Sequence, residues 1–160
     1  MTADHTYKPV RPAYQNVLGD YRIPILFFHP KIAQWPQVDT EEPTQQIDLL
    51  PSILDFLGQT PKEENLMGRS VFRQGPRQVV LFSDGLYWMV TRDFFATMKN
   101  DGDTHVERVE LPYAVARDAA RRPRDLTDAV REDLRLRLLA TRQYFSEGLW
   151  DNALYFPVGR

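Results

Sequence analysis

The chain has 160 residues, enough for one compact domain, and is 42% hydrophobic and 26% charged, as ordinary globular chains are. Twenty Lys+Arg against 22 Asp+Glu leave a net charge of −2, so no global field points to nucleic acid or to an anionic membrane. Cysteine is absent, which removes disulfides, thiolate metal sites and a thiol nucleophile.

Residues 1–20, "MTADHTYKPVRPAYQNVLGD", have no sustained period, and Pro9 and Pro12 forbid a helix through their middle. A loop of this length at the start of a domain is unusual; such loops carry function or connect to further elements. The stretch "YRIPILFFHP" at 21–30 is the most apolar short run. Ile23, Ile25, Leu26, Phe27 and Phe28 do not alternate with polar residues, which predicts a strand over 23–28 buried on both faces. "TQQIDLLPSILDFLG" follows a loop at 31–43. Ile47, Leu50, Ile53, Leu54 and Leu57 recur at helical spacing, Thr44 can cap, and Gly58 stands where a C′ glycine belongs. Pro51 favours a short helix from about 51 to 57 with the proline as its first residue.

From residue 77 the period changes to two. "RQVVLFSDGLYWMVTRD" reads as two strands joined through Asp84-Gly85, and "FFATMKNDGDTHVERVEL" repeats the design around Asn100-Asp101-Gly102. An antiparallel meander of three or four strands is expected. A basic, proline-containing connector spans 112–124. A long helix follows at about 127–147, with Val130, Leu134, Leu138, Thr141 and Phe145 on one stripe and Leu139 widening it. The aromatic tail "WDNALYFPVGR" is expected to pack back. No run approaches the ~20 apolar residues of a membrane helix, and no basic-then-apolar leader is visible. The fold class expected is α/β, with α+β content: a buried strand and helix, then a small antiparallel sheet packed with a long C-terminal helix.

Three histidines exist: His5, His29 and His105. Asp4-His5 has two readings, a metal-ligand pair or an exposed dipeptide. His29 ends the apolar run, where ligand-bearing residues sit in open sheets, or it caps the strand. His105 reads as a solvated face residue beside Glu107. Asp48 reads as a ligand or as a helix cap. Arg117, Arg121, Arg122 and Arg124, offset by Asp118 and Asp125, read as a solvated connector. No HExxH, GxSxG or glycine-rich phosphate loop occurs.

Taken in order, "TADHT", "YRIPILFFHP", "TQQIDLLPSILDFLG" and "MGRSVF" resemble the C-terminal part of the sulfatase branch of the alkaline-phosphatase superfamily. Members of that family carry an Asp-His pair at a strand end and then an "I/V-P-apolar" strand. A "Q-I/V-D-apolar-apolar-P-S/T-I/L-L-D" stretch ending in Gly and a Gly-x-Ser-apolar segment complete the pattern. Gln46 to Gly58 match the third piece almost completely. Thr6 stands where many sulfatases have Gly, so lipoteichoic-acid-synthase-like, or phosphoglycerol-transferase-like, members are the most similar. The likeness covers residues 2 to 72.

The resemblance implies that 1–75 form the C-terminal end of a sulfatase-like catalytic core and 76–160 a C-terminal subdomain. It implies that the chain starts mid-domain, with the nucleophile and remaining ligands upstream. Asp4 and His5 would ligate a divalent metal, Mn or Zn being favoured by the N/O donor set and Mg or Ca also compatible. His29 would contact substrate. The substrate would be an anionic phosphate or sulfate ester, not nucleic acid. The full-length enzyme would sit at the inner membrane with a periplasmic or extracellular catalytic domain. The chain alone is expected to be inert, and to dimerise through the strand edge left bare at 23–28. The contrasting readings are a non-catalytic binding module that uses Tyr87, Trp88, Phe94 and Phe95 as a contact surface, and a degenerate homologue that keeps the fold.

Overall fold

The structure, a computed structural model, describes residues 1–6, 10, 12–15, 17–34, 36–59, 67–108, 124–151 and 154. Two compact units divide the chain: one contains Met1–Pro36, and the other runs from Gln37 through the sheet and the C-terminal helix. The division expected after residue 75 therefore falls inside the second unit. The reason is a set of buried polar bonds that ties residues 37–59 to the segment 67–80.

In the second unit, α1 spans Leu49–Phe56 after a 3-10 turn at Gln46–Asp48. Pro51 occupies the third helical position rather than the first; its missing N–H is harmless there, since the first-turn amides lack helical partners anyway. The helix ends as its sequence predicts. Gly58 takes φ +67°, Gln59 N–H reaches Leu54 O at 2.8 Å, and Gly58 N–H reaches Asp55 O at 3.0 Å. This is a Schellman closure.

The face that α1 buries is not its apolar stripe. Asp48, Pro51 and Ser52 are buried, while Ile47, Leu50, Ile53 and Leu57 are 47–60% exposed. Hydrogen bonding explains this choice. Asp48 Oδ2 accepts from Gln45 N at 2.9 Å, and Oδ1 accepts from Arg69 N at 2.8 Å, 21 residues away. Ser52 Oγ donates to Asp48 O at 2.5 Å and accepts from Val71 N at 3.0 Å. A Cβ on Gly68 would lie 2.1 Å from Ile47 O, so only glycine allows the "MGRSVF" segment to lie this close. Arg77, 4% exposed, completes the knot: its side chain donates to the carbonyls of Asp39, Glu42, Pro43 and Val71 at 2.7–3.3 Å. Its backbone N–H donates to Glu42 Oε2 at 2.8 Å.

The antiparallel sheet is a four-stranded meander in the order β1-β2-β3-β4: Val79–Ser83, Leu86–Val90, Phe94–Met98 and Thr104–Arg108. Asp84 (φ 53°) and Gly85 (φ 76°) form the two-residue turn of the first hairpin, with both residues left-handed as a type I′ turn requires. Gly102 (φ 89°) lies in the loop between β3 and β4. One row of the register, Val80, Met89, Ala96 and Val106, faces α2. That helix spans Asp128–Trp150 and is capped by Thr127 Oγ1, which accepts from Val130 N at 3.3 Å. Leu134 and Leu138 close the core with Met89, Phe94, Ala96, Met98 and Val106. The expected fold class, mixed α/β with a small antiparallel sheet against a long helix, is observed.

Helix α2 is longer than the sheet beneath it. Twenty-three residues rise roughly 35 Å, against about 17 Å for a five-residue strand. Phe145, Leu149 and Trp150 therefore overhang and are exposed, Trp150 by 91%. Of the tail expected to pack back, Leu154 does so: a Cβ on Gly148 would lie 2.4 Å from its Cδ2. Residues 152–153 and 155–160 lie outside the described residues, as do residues 109–123, which include all of the expected connector 112–124 but Arg124.

The first unit differs most from expectation. Residues 23–28 form no ladder; Ile25 makes a single antiparallel bridge to Thr2. Leu26 N–H donates to Met1 O and the Met1 amine donates to Leu26 O, each at 2.8 Å. Burial alternates along the segment: Ile23, Ile25, Phe27 and His29 are half-buried, and Pro24, Leu26, Phe28 and Pro30 are exposed. Phe28 is 83% exposed. The expected strand buried on both faces is thus a ribbon buried on one side, with alternate residues open to solvent.

Asp48→Asn is expected to lower the unfolding free energy by about 1–3 kcal/mol at pH 7, because an amide cannot accept from both Gln45 N and Arg69 N. Burial raises the Asp48 pKa above its ordinary 3.8, against the lowering effect of those two N–H bonds. A raised carboxylic acid favours the fold when protonated, so this contribution declines as pH rises from the unfolded value towards the folded one. Urea titrations between pH 3 and 7 should show the stability difference between the parent chain and D48N shrinking as pH rises, whatever the other carboxylates contribute to both. Leu138→Ala, which empties the centre of the α2–sheet core, should cost about 2–5 kcal/mol in the same assay.

Candidate metal-ligand pair

The antiparallel pairing of Thr2 with Ile25 sends the chain back along the ribbon, so Asp4 and His5 lie towards Ile23, at the start of the 23–28 segment. They do not lie at its C-terminal end, where His29 sits. Thr6 anchors the pair from the other side, its hydroxyl donating to Asp20 O. Both side chains are open to solvent, Asp4 by 91% and His5 by 79%.

Local hydrogen bonds hold the two groups side by side. Asp4 Oδ1 accepts from His5 N at 3.0 Å, which holds the carboxylate beside the next side chain. His5 Nδ1 lies 3.0 Å from Thr6 O. A carbonyl only accepts, so Nδ1 carries the proton and Nε2 keeps its lone pair. A contact of this kind fixes the orientation of the imidazole. Nε2 is 3.8 Å from Asp4 Oδ1. Two donors on one ion, each bonded at about 2.1 Å, stand roughly 3.0–3.4 Å apart, so a side-chain shift of about half an ångström closes the gap. The donor set, one carboxylate oxygen and one imidazole nitrogen, fits Mn²⁺ or Zn²⁺ as half of a coordination sphere. Among the described residues, no group of three or more His, Asp or Glu is positioned to hold a metal.

His29 has a local role. Its Nδ1 accepts from Lys31 N at 3.0 Å, and its carbonyl accepts from Ile32 N at 3.0 Å, which turns the chain into the 3-10 turn Ile32–Gln34. With Nδ1 accepting, the proton resides on Nε2, the tautomer that donates to an anionic oxygen. The ribbon separates His29 from Asp4 and His5.

Asp48 is no ligand: it is 2% exposed, and each oxygen is taken by a backbone amide. His105 is a face residue, 74% exposed at the side chain with Nε2 3.8 Å from Glu107 Oε2. The aromatic contact surface is not present as such. Trp88 and Phe94 are buried, and Trp88 packs edge-on against Phe95 with ring centroids 5.6 Å apart. From the basic run, Arg124 alone lies within the described residues. Its neighbour Asp125 pairs with Arg108 at 3.2 Å. Within the described residues no helix is long and apolar enough to cross a membrane.

No protein-family model, curated protein or solved structure matches this chain.

Proposed function

We propose that the chain is the C-terminal part of a sulfatase-like, metal-dependent enzyme that cleaves or transfers phosphate or sulfate esters, with phosphoglycerol transferase-like members as the nearest kind. In this reading the chain contributes part of the cleft wall, and Asp4 and His5 supply two ligands to a divalent ion, Mn or Zn being favoured. The observation that carries the reading is the convergence of Asp4 Oδ1 and His5 Nε2 to 3.8 Å, with Nδ1 committed to Thr6 O. The uncovered apolar stripe of α1 and the uncovered Leu26 and Phe28 add support, since an independent soluble domain seldom leaves such faces bare. Further segments of a larger catalytic domain would cover them.

The bound ion would polarise the ester oxygens and neutralise their charge during an in-line displacement. Asp4 would contribute negative charge, and His5 would be held in the correct tautomer by Thr6. His29 Nε2–H would donate to a substrate oxygen. The nucleophile and the other ligands would come from outside this sequence, and the parent protein would be set in the inner membrane with its catalytic domain on the periplasmic or extracellular side.

Manganese titration followed by proton NMR tests the ligand pair directly. The His5 imidazole resonances should broaden at lower Mn²⁺ than those of His29 and His105, with millimolar rather than micromolar affinity, because two ligands alone hold an ion weakly. Asp4→Ala should abolish the preference without unfolding the chain, since the side chain is exposed. Equal broadening of all three histidines would overturn the assignment.

The 160-residue chain should not hydrolyse bis(p-nitrophenyl) phosphate or p-nitrophenyl sulfate with Mn²⁺ or Zn²⁺ present. Turnover that survives Asp4→Ala and His5→Ala would defeat the reading. A longer polypeptide from the same reading frame should hydrolyse such esters and lose at least about 100-fold with either substitution.

The bare side of the ribbon also leads us to expect self-association. Size-exclusion chromatography should show a concentration-dependent dimer that Phe28→Ser weakens; a monomer at all concentrations would count against it.

A further inference from the structure

We draw no further inference here: the strongest candidate, the exposed apolar stripe of Ile47, Leu50, Ile53 and Leu57 on α1, already serves the proposed reading, and nothing in the structure shows what else covers it.

Discussion

A carboxylate that water hardly reaches organises the second unit. Asp48 gives one oxygen to the amide of Gln45 and the other to the amide of Arg69. An isolated buried charge is expensive, and two N–H donors offset much of that cost. The consequence is positional. Once Arg69 is fixed, Gly68 lies against Ile47 O, Val71 N–H meets Ser52 Oγ, and Arg77 is carried inward to four backbone carbonyls. Strand β1 begins two residues after Arg77, and Val80 N–H donates to Gln45 Oε1 at 3.1 Å. The polar knot therefore sets where the sheet starts, and the sheet sets where α2 can pack.

The same knot shows what the polar and glycine residues of two conspicuous stretches do. In "QIDLLPSILDFLG" and "MGRSVF", Asp48 and Ser52 tether a distant segment, Gly58 ends the helix and Gly68 allows close approach. Arg73 adds a bidentate pair to Asp55 at 2.9 and 3.0 Å, and that guanidinium holds the Asp55 carboxyl below its ordinary pKa. Each of these jobs is mechanical. The candidate donor pair, Asp4 and His5, lies in the other unit, on exposed backbone held by Thr6 and by the pairing with 25–26.

The sheet and α2 were legible because local rules and packing agree there. Asp84-Gly85 demands a left-handed turn, period-two apolar residues demand one buried face, and Thr127 caps a stripe that Leu134 and Leu138 bury. The start of α2 was read to within a residue. Its end was not: the helix runs three residues beyond the expected 147, through Gly148 to Trp150, where no apolar stripe is buried to mark it. At 23–28 and on α1 the pattern misled in a common way. An apolar run states that burial is favourable, but the number of faces actually covered depends on what pairs with it. Here Leu26 and Phe28 on the ribbon stay exposed, and α1 turns its polar side inward because hydrogen bonds hold it there.

The sequence by itself determined the hairpin turn, the glycine end of α1, the meander and the apolar stripe of α2, since these follow from φ preferences and hydrophobic period over a few neighbouring residues. It did not determine the start of α1, where Gln45 and Asp48 stand at the N-cap positions rather than Thr44. It also singled out Asp4-His5 as a donor pair and left two readings open. Tertiary structure alone decided that Asp48 is a tether rather than a ligand and that His29 lies at the far end of the ribbon from Asp4. It likewise decided that the apolar side of α1 stays exposed. These outcomes depend on contacts between residues far apart in the chain, such as the amide of Arg69 reaching Asp48 across 21 positions, and no local pattern encodes such a distance.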